Sequence, residues 1–123
     1  MQKIRQCDIF LCDFGSNNDG SEQQGIRPSL IVSNNLNNLY SELVIVIPIT
    51  SKKKKDLPTH YILKKKDYNF FECKTNTVLT EQIRCVSKTK LQNKLGTISI
   101  EDFKNIVNKL NINFGEIKLY GEE

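Results

Sequence analysis

The chain has 123 residues and a formal net charge of +4, a length that suits one domain built on one hydrophobic core. No stretch approaches the roughly 20 apolar residues of a membrane span. The polar start Met1-Gln-Lys-Ile-Arg-Gln lacks the apolar region of a secretory signal, so a cytoplasmic protein without membrane contact is expected.

The positive balance permits nucleic-acid binding without demanding it. The four cysteines, Cys7, Cys12, Cys73 and Cys85, include no C-x-x-C pair, and His60 is the single histidine. Zinc sites draw on closely spaced ligand pairs, so no metal and no cofactor is expected. Free thiols, mostly packing, are the reading for the cysteines. Cys7 and Cys12 differ by an odd offset, which puts them on opposite faces of a continuous strand.

In chain order, Asp8 to Phe14 is an apolar run bounded by polar residues and predicts a first strand. Gly15 to Gln24 is a long loop. Pro28 to Ser33 predicts a second strand, nearly continuous in apolar residues and hence buried on both faces. Asn34 to Asn38 predicts a turn. Leu43 to Ile49 is the most β-prone run of the chain, with Pro48 implying an edge or bulge near its end.

Two lysine runs, at Lys52 to Lys55 and Lys64 to Lys66, bracket a fourth strand at Thr59 to Leu63. They would meet at one end of a sheet as an electropositive rim, led by Lys52 and Lys53, able to hold phosphates. Thr77 to Thr80 and Gln82 to Val86 predict further strand with a kink between. Leu95 to Ile98 is a last short strand. Ser99 with an acid three residues on is a capping box. Phe103, Ile106, Val107 and Leu110 then repeat at helical spacing, one apolar face turned to the core. The tail after Phe114 is expected to fray or to add to an edge. The architecture is mainly β with α: a small, strongly bent sheet or barrel carrying a C-terminal helix.

The loop Gly20-Ser21-Glu22-Gln23-Gln24-Gly25-Ile26-Arg27-Pro28 concentrates a hydroxyl, a carboxylate, two amides and a guanidinium. Glycines bracket it and Pro28 fixes its exit into a strand. Familiar catalytic sets are missing: His60 has no sequence-level tie to a serine for a triad, and no phosphate-binding glycine loop is present. Asp13, Asp19 and Glu22 are not spaced as a metal nuclease would need.

Arg27 at a loop–strand junction and Thr50 at a strand end suit RNA cleavage, because RNA supplies its own nucleophile in the 2′-OH. The protein need only move protons and stabilise a charged phosphorane. Arg27 can clamp the phosphate bidentately and Thr50 can donate to a non-bridging oxygen. Arginine stays protonated, so Glu22, a phosphate oxygen or water is left to take the 2′ proton.

The sequence resembles the MazF/PemK/Kid family of toxin endoribonucleases from toxin–antitoxin pairs. The resemblance rests on Gly20-Ser-Glu-Gln-x-Gly-x-Arg-Pro28, Ile49-Thr50-Ser51, Leu57-Pro58-Thr59-His60, Leu79-x-Glu-Gln-Ile-Arg84 and Leu95-Gly96-Thr97-Ile98 with its helix. It spans residues 8–112 of a single domain, 1–123, with 115–123 as a tail. Any one of these motifs is weak; all of them in this order are specific. The family usually has glycine where this chain has Cys7.

The resemblance implies an SH3-like barrel of the CcdB/PemK/MazF type acting as a homodimer. It implies metal-independent cleavage of single-stranded RNA at a short sequence, leaving 2′,3′-cyclic phosphate and 5′-OH ends. The catalytic arginine and threonine of the family fall on Arg27 and Thr50. Ser21, Glu22 and Gln23 fall in its substrate loop. Leu57, Pro58, Thr59, His60, Gln82 and Arg84 fall where RNA contacts are expected. The partner implied is a MazE-like antitoxin with an acidic segment that fills the RNA groove, any link to DNA being indirect through it.

Two readings of other classes compete. A CcdB-like gyrase poison would have no need of the Arg27 and Thr50 pair. A non-catalytic RNA-binding barrel would stack bases on Tyr40, Tyr61, Tyr68 and Phe70 above the lysine rim.

Overall fold

A computed structural model describes residues 3–16, 20, 22–53 and 55–116. Among the described residues, seven strands and two α-helices follow one another as β1 (Asp8–Asp13), β2 (Ile26–Ile31), α1 (Asn35–Tyr40), β3 (Leu43–Thr50), β4 (His60–Lys64), β5 (Thr75–Leu79), β6 (Arg84–Ser87), β7 (Leu91–Thr97) and α2 (Ile100–Ile112). The strands form one sheet in the order β4-β5-β3-β2-β1-β7, with β6 also on β3. Every pairing is antiparallel.

The bend of the sheet comes from β3. Its first half, Leu43 to Val46, pairs with β6, and its end, Ile49 and Thr50, pairs with β5. Pro48, which has no N–H to give, sits between the two partners. Its other side pairs with Ser29 of β2. The expected edge or bulge is therefore a corner in a central strand, where the missing donor falls in the gap between two ladders. A second bend lies in the β1–β7 pairing, whose register shifts on both sides of Phe10, as bulges do where a sheet coils.

The alternation along β1 to β3 divides the core into two clusters. Cys7, Ile9, Leu30, Ile47 and Ile49 pack on one face with Phe71, Phe103 and Ile106. Phe10, Cys12, Phe14, Ile31, Val44 and Val46 pack on the other. Cys7 and Cys12 thus point to opposite faces as their spacing implies. These two thiols are buried, whereas Cys73 and Cys85 are exposed. Cys7 takes φ +79°, a region costly for a side chain with a Cβ. It is held there by two backbone bonds, Cys7 N–H to Ile31 O at 3.0 Å and Ile98 N–H to Cys7 O at 3.0 Å.

Several element limits differ from the sequence reading. The asparagine-rich stretch expected as a turn is the short helix α1. Asn34 caps it by accepting Asn37 N–H at 2.8 Å, and buried Asn38 ties it back to Ser33 O at 2.8 Å. The side-chain bonds thus outweigh the low helix propensity of asparagine. β2 starts two residues before Pro28, because Ile26 and Arg27 already pair with Asp13 and Cys12. β7 begins at Leu91, four residues before the strand expected at Leu95, since β1 offers it an edge. The expected kink after β5 is a 3-10 turn, Thr80–Gln82, and it takes Gln82 out of the strand.

α2 begins as its capping box predicts, with Ser99 accepting Asp102 N–H at 3.1 Å, and it buries Phe103 and Ile106. Asp102 also fastens the helix to the sheet, accepting from Tyr61 Oη at 2.6 Å and from Tyr68 Oη. Burial disfavours its charge, but the bonds from Tyr61, Tyr68 and Ser99 outweigh that and hold its pKa below 3.8. Of the tail, residues 117–123 lie outside the described residues.

Candidate RNA-cleavage site

Arg27 stands near the start of β2 and Thr50 at the end of β3, two neighbouring strands. Ser29 pairs with Pro48 across these strands. That pair is the last of the β2–β3 ladder, and Arg27 and Thr50 lie two residues beyond it on their strands. Arg27 is half-buried. Its Nε donates to Gln24 O at 2.9 Å, which steadies the side chain and leaves both terminal amino groups for an anion. No carboxylate among the described residues pairs with it.

Thr50 is 1% exposed. Its Oγ1 accepts Lys52 N–H at 3.2 Å, so the hydroxyl hydrogen stays available for donation. Arg27 also lines a cavity of about 230 Å³ with Ile26, Pro28, Ile49, Ser51 and Asn76. Thr50, alternating with Ile49 and Ser51, is turned away from that cavity.

The loop before Arg27 is pinned at Gln23. Gln23 is buried at 5% exposure, and its N–H donates to Gln82 Oε1 at 2.9 Å. Gln23 and Gln82, both expected to meet RNA, thus hold the loop to the turn after β5. Glu22 is exposed beside them. Ser21 lies outside the described residues, as do Asp19 and Lys54. Gly20 and Gly25 take φ of +62° and +73°, conformations that glycine adopts without steric cost.

The 57–60 segment is fixed to that same turn. Leu57 and Pro58 are exposed, while Thr59 is buried with its Oγ1 donating to Glu81 Oε1 at 3.1 Å. His60 Nε2 donates to Glu81 Oε2 at 2.9 Å, and its side chain is 9% exposed. His60 is therefore tied inward instead of being offered to a ligand. Sequence reasoning did not single out Glu81 by itself, although it stands inside the motif that includes Gln82 and Arg84.

Arg84 lies with its guanidinium 4.6 Å from the centroid of the Phe14 ring, a cation–π arrangement that holds the charge at the surface. Lys52 and Lys53 are exposed. β3 and β4 both pair antiparallel with β5, Thr50 opposite Thr77 and Lys64 opposite Thr75. The two strands therefore run parallel and end together, which puts the start of one lysine run and all of the other at one end of the sheet.

The aromatic platform of the RNA-binding reading is not assembled. Tyr61 and Tyr68 spend their hydroxyls on Asp102, Phe70 packs against the core, and Tyr40 alone is fully accessible, at 77%. Among the described residues, no group of three or more His, Cys, Asp or Glu gathers as a metal site would.

Comparison with known proteins identifies relatives in sequence and in fold. The family described as the PemK-like, MazF-like toxin of type II toxin–antitoxin systems matches residues 5–114. The endoribonuclease MazF of Staphylococcus saprophyticus is 39% identical over 113 residues, covering 91% of this chain and 92% of that protein. In fold, the chain is similar to MazF from Deinococcus radiodurans, with a TM-score of 0.77 at 20% identity over 94% of this chain and all (100%) of that one. A mycobacterial endoribonuclease in complex with its cognate antitoxin gives a TM-score of 0.74 at 23% identity, over 94% of this chain and 99% of that one.

Proposed function

The chain belongs to the PemK-like, MazF-like toxin family of type II toxin–antitoxin systems, and from that premise we propose that it is an endoribonuclease toxin acting on single-stranded RNA. The observation that carries the reading is that Arg27 keeps its terminal amino groups uncommitted while its Nε is tied to Gln24 O, with Thr50 two residues past the Ser29–Pro48 pair on the neighbouring strand. A free guanidinium face and a hydroxyl with an uncommitted hydrogen are the donors that a pentacoordinate phosphorane needs.

The substrate's 2′-OH gives its proton to Glu22, a phosphate oxygen or water as it attacks the adjacent phosphorus, and the bond to the 5′ oxygen breaks as that oxygen gains a proton. The products are a 2′,3′-cyclic phosphate and a 5′-OH. Neither water nor a metal-bound hydroxide enters as nucleophile, so the reaction is proposed to run without metal. Arg27 clamps two non-bridging oxygens, and Thr50 donates to one of them. Since Thr50 is buried, the surrounding loops part when the phosphate enters. The lysines at the common end of β3 and β4, with Arg84 on Phe14, give the flanking phosphates a positive path.

The protein acts as a homodimer in the cytoplasm and is neutralised by an antitoxin whose acidic segment takes the same groove. This last point is supported by the mycobacterial relative in complex with its antitoxin. The test is incubation of purified, antitoxin-free protein with a long single-stranded RNA in EDTA, followed by mapping of the new ends. Discrete cuts at one short motif with 5′-OH ends are expected. Intact RNA together with loss of gyrase supercoiling would overturn the reading in favour of a gyrase poison.

A further inference from the structure

The 3-10 turn Thr80–Gln82 is bonded to three separate parts of the chain. Gln82 takes the N–H of Gln23 from the first loop. Thr80 Oγ1 donates to Thr59 O at 2.7 Å and accepts from Asn113 Nδ2, at the end of α2, at 3.1 Å. Glu81 uses its two oxygens on two consecutive residues, Thr59 Oγ1 at 3.1 Å and His60 Nε2 at 2.9 Å.

A carboxylate is an odd group to find at a site for a polyanion. Left free, Glu81 would repel the phosphates that Arg84 and the lysines attract. Here its charge is spent inward, on an imidazole N–H and a hydroxyl. The carboxylate only accepts, so the proton of the pair stands on His60 Nε2, and that nitrogen has no lone pair left for a substrate proton. His60 thus works as a strut.

Resting on the ribonuclease reading above, we infer that Glu81 is a positioning residue for RNA binding. It acts through Thr59 and His60, fixing the exposed Leu57 and Pro58 against the turn that also anchors the Gly20 to Gly25 loop. It touches no reacting atom. Its effect belongs in substrate affinity and in the choice of cleavage site, because misplacing a binding element weakens positioning without removing the phosphate clamp.

The test compares wild type, Glu81→Ala, Glu81→Gln and Thr59→Val on a short RNA carrying one mapped site. Wild-type cleavage is the control that separates this inference from the ribonuclease reading itself. Glu81→Ala is expected to raise KM about 10-fold while kcat changes less than about 3-fold. The amide of Glu81→Gln offers one acceptor and one donor, enough to keep both links, and is expected to restore KM to within about 3-fold of wild type.

Thr59→Val should raise KM and add little when combined with Glu81→Ala, since Glu81→Ala already removes the link that Thr59→Val breaks. It carries the test even where the alanine protein melts early. An unchanged KM in Glu81→Ala or Thr59→Val, a loss confined to kcat, or a glutamine variant no better than alanine would overturn the inference.

Discussion

The ring of Phe70 lies over Gly96 so closely that a Cβ at position 96 would stand 2.4 Å from two of its carbons. Gly96 pairs with Ile9 across β1 and β7, and Phe70 packs against Phe71, with ring centroids 4.8 Å apart. The ring therefore covers the bare backbone and has little room to retreat. Gly96→Ala is expected to destabilise the fold by about 1–3 kcal/mol, the usual cost of overpacking, read as a lower midpoint in urea with an unchanged slope. An unchanged midpoint would show that the ring moves aside freely.

The tie between α2 and the sheet gives a dependence on acid. Asp102 has a folded pKa below its ordinary 3.8, so its contribution is fully present above that value and is lost as pH falls through the lower, folded one. Tyr61 and Tyr68 have pKa values raised above 10.0, first by burial and next by their bonds to Asp102. Their contribution is present below pH 10.0 and fades as the pH climbs through the folded values. Asp102→Asn should cost about 1–2 kcal/mol at neutral pH, in line with bonds to a charged acceptor, and should flatten the acid loss below pH 3.8. Thermal melts of both proteins across that range check it, and parallel acid curves would contradict it.

The thiols divide by environment. Burial drives the pKa of Cys12 up to about 11, the fields of Arg84 and Lys90 only partly offsetting it. Cys7 is raised by burial and by Asp8. Both stay protonated near neutral pH and sit inside the core, so an alkylating reagent applied to native protein should modify Cys73 and Cys85 and spare the other two. Mass spectrometry of the digested protein distinguishes the pairs. Equal labelling of all four would mean that the β1 face opens readily.

Much of this was legible in the letters because most strands carry their own pattern. The apolar runs of β1 and β3 and the spacing of Phe103, Ile106, Val107 and Leu110 fixed their partners' faces without tertiary knowledge. What the letters did not show was decided by contact. The helix α1 depends on Asn38 reaching Ser33, β7 lengthens because β1 lends it an edge, and Pro48 is central because β3 changes partners beside it. At the site, the loop motif singled out Arg27 and the Ile49-Thr50-Ser51 motif singled out Thr50. The inward ties of Gln23 and His60 depend on residues 59 and 21 positions away, and no local pattern signals them.

Thr50→Val preserves shape and removes the donor. A single lost donor to a transition-state oxyanion costs about 10²–10³ in rate, so kcat should fall by that much with KM little changed. Lys52 N–H loses its acceptor, a penalty of about 1 kcal/mol that should leave the protein folded at 25 °C. Single-turnover cleavage beside a melting curve separates the two effects. A KM effect alone would make Thr50 a binding contact.

The central claim is that the guanidinium of Arg27 performs the phosphate chemistry. Its side chain makes one bond to the loop, to Gln24 O, and Arg27→Ala should leave the melting temperature within a few degrees of wild type. Cleavage of single-stranded RNA in EDTA should drop by about 10³-fold or more. A folded Arg27→Ala protein that still cuts the same motif at a comparable rate would contradict the account.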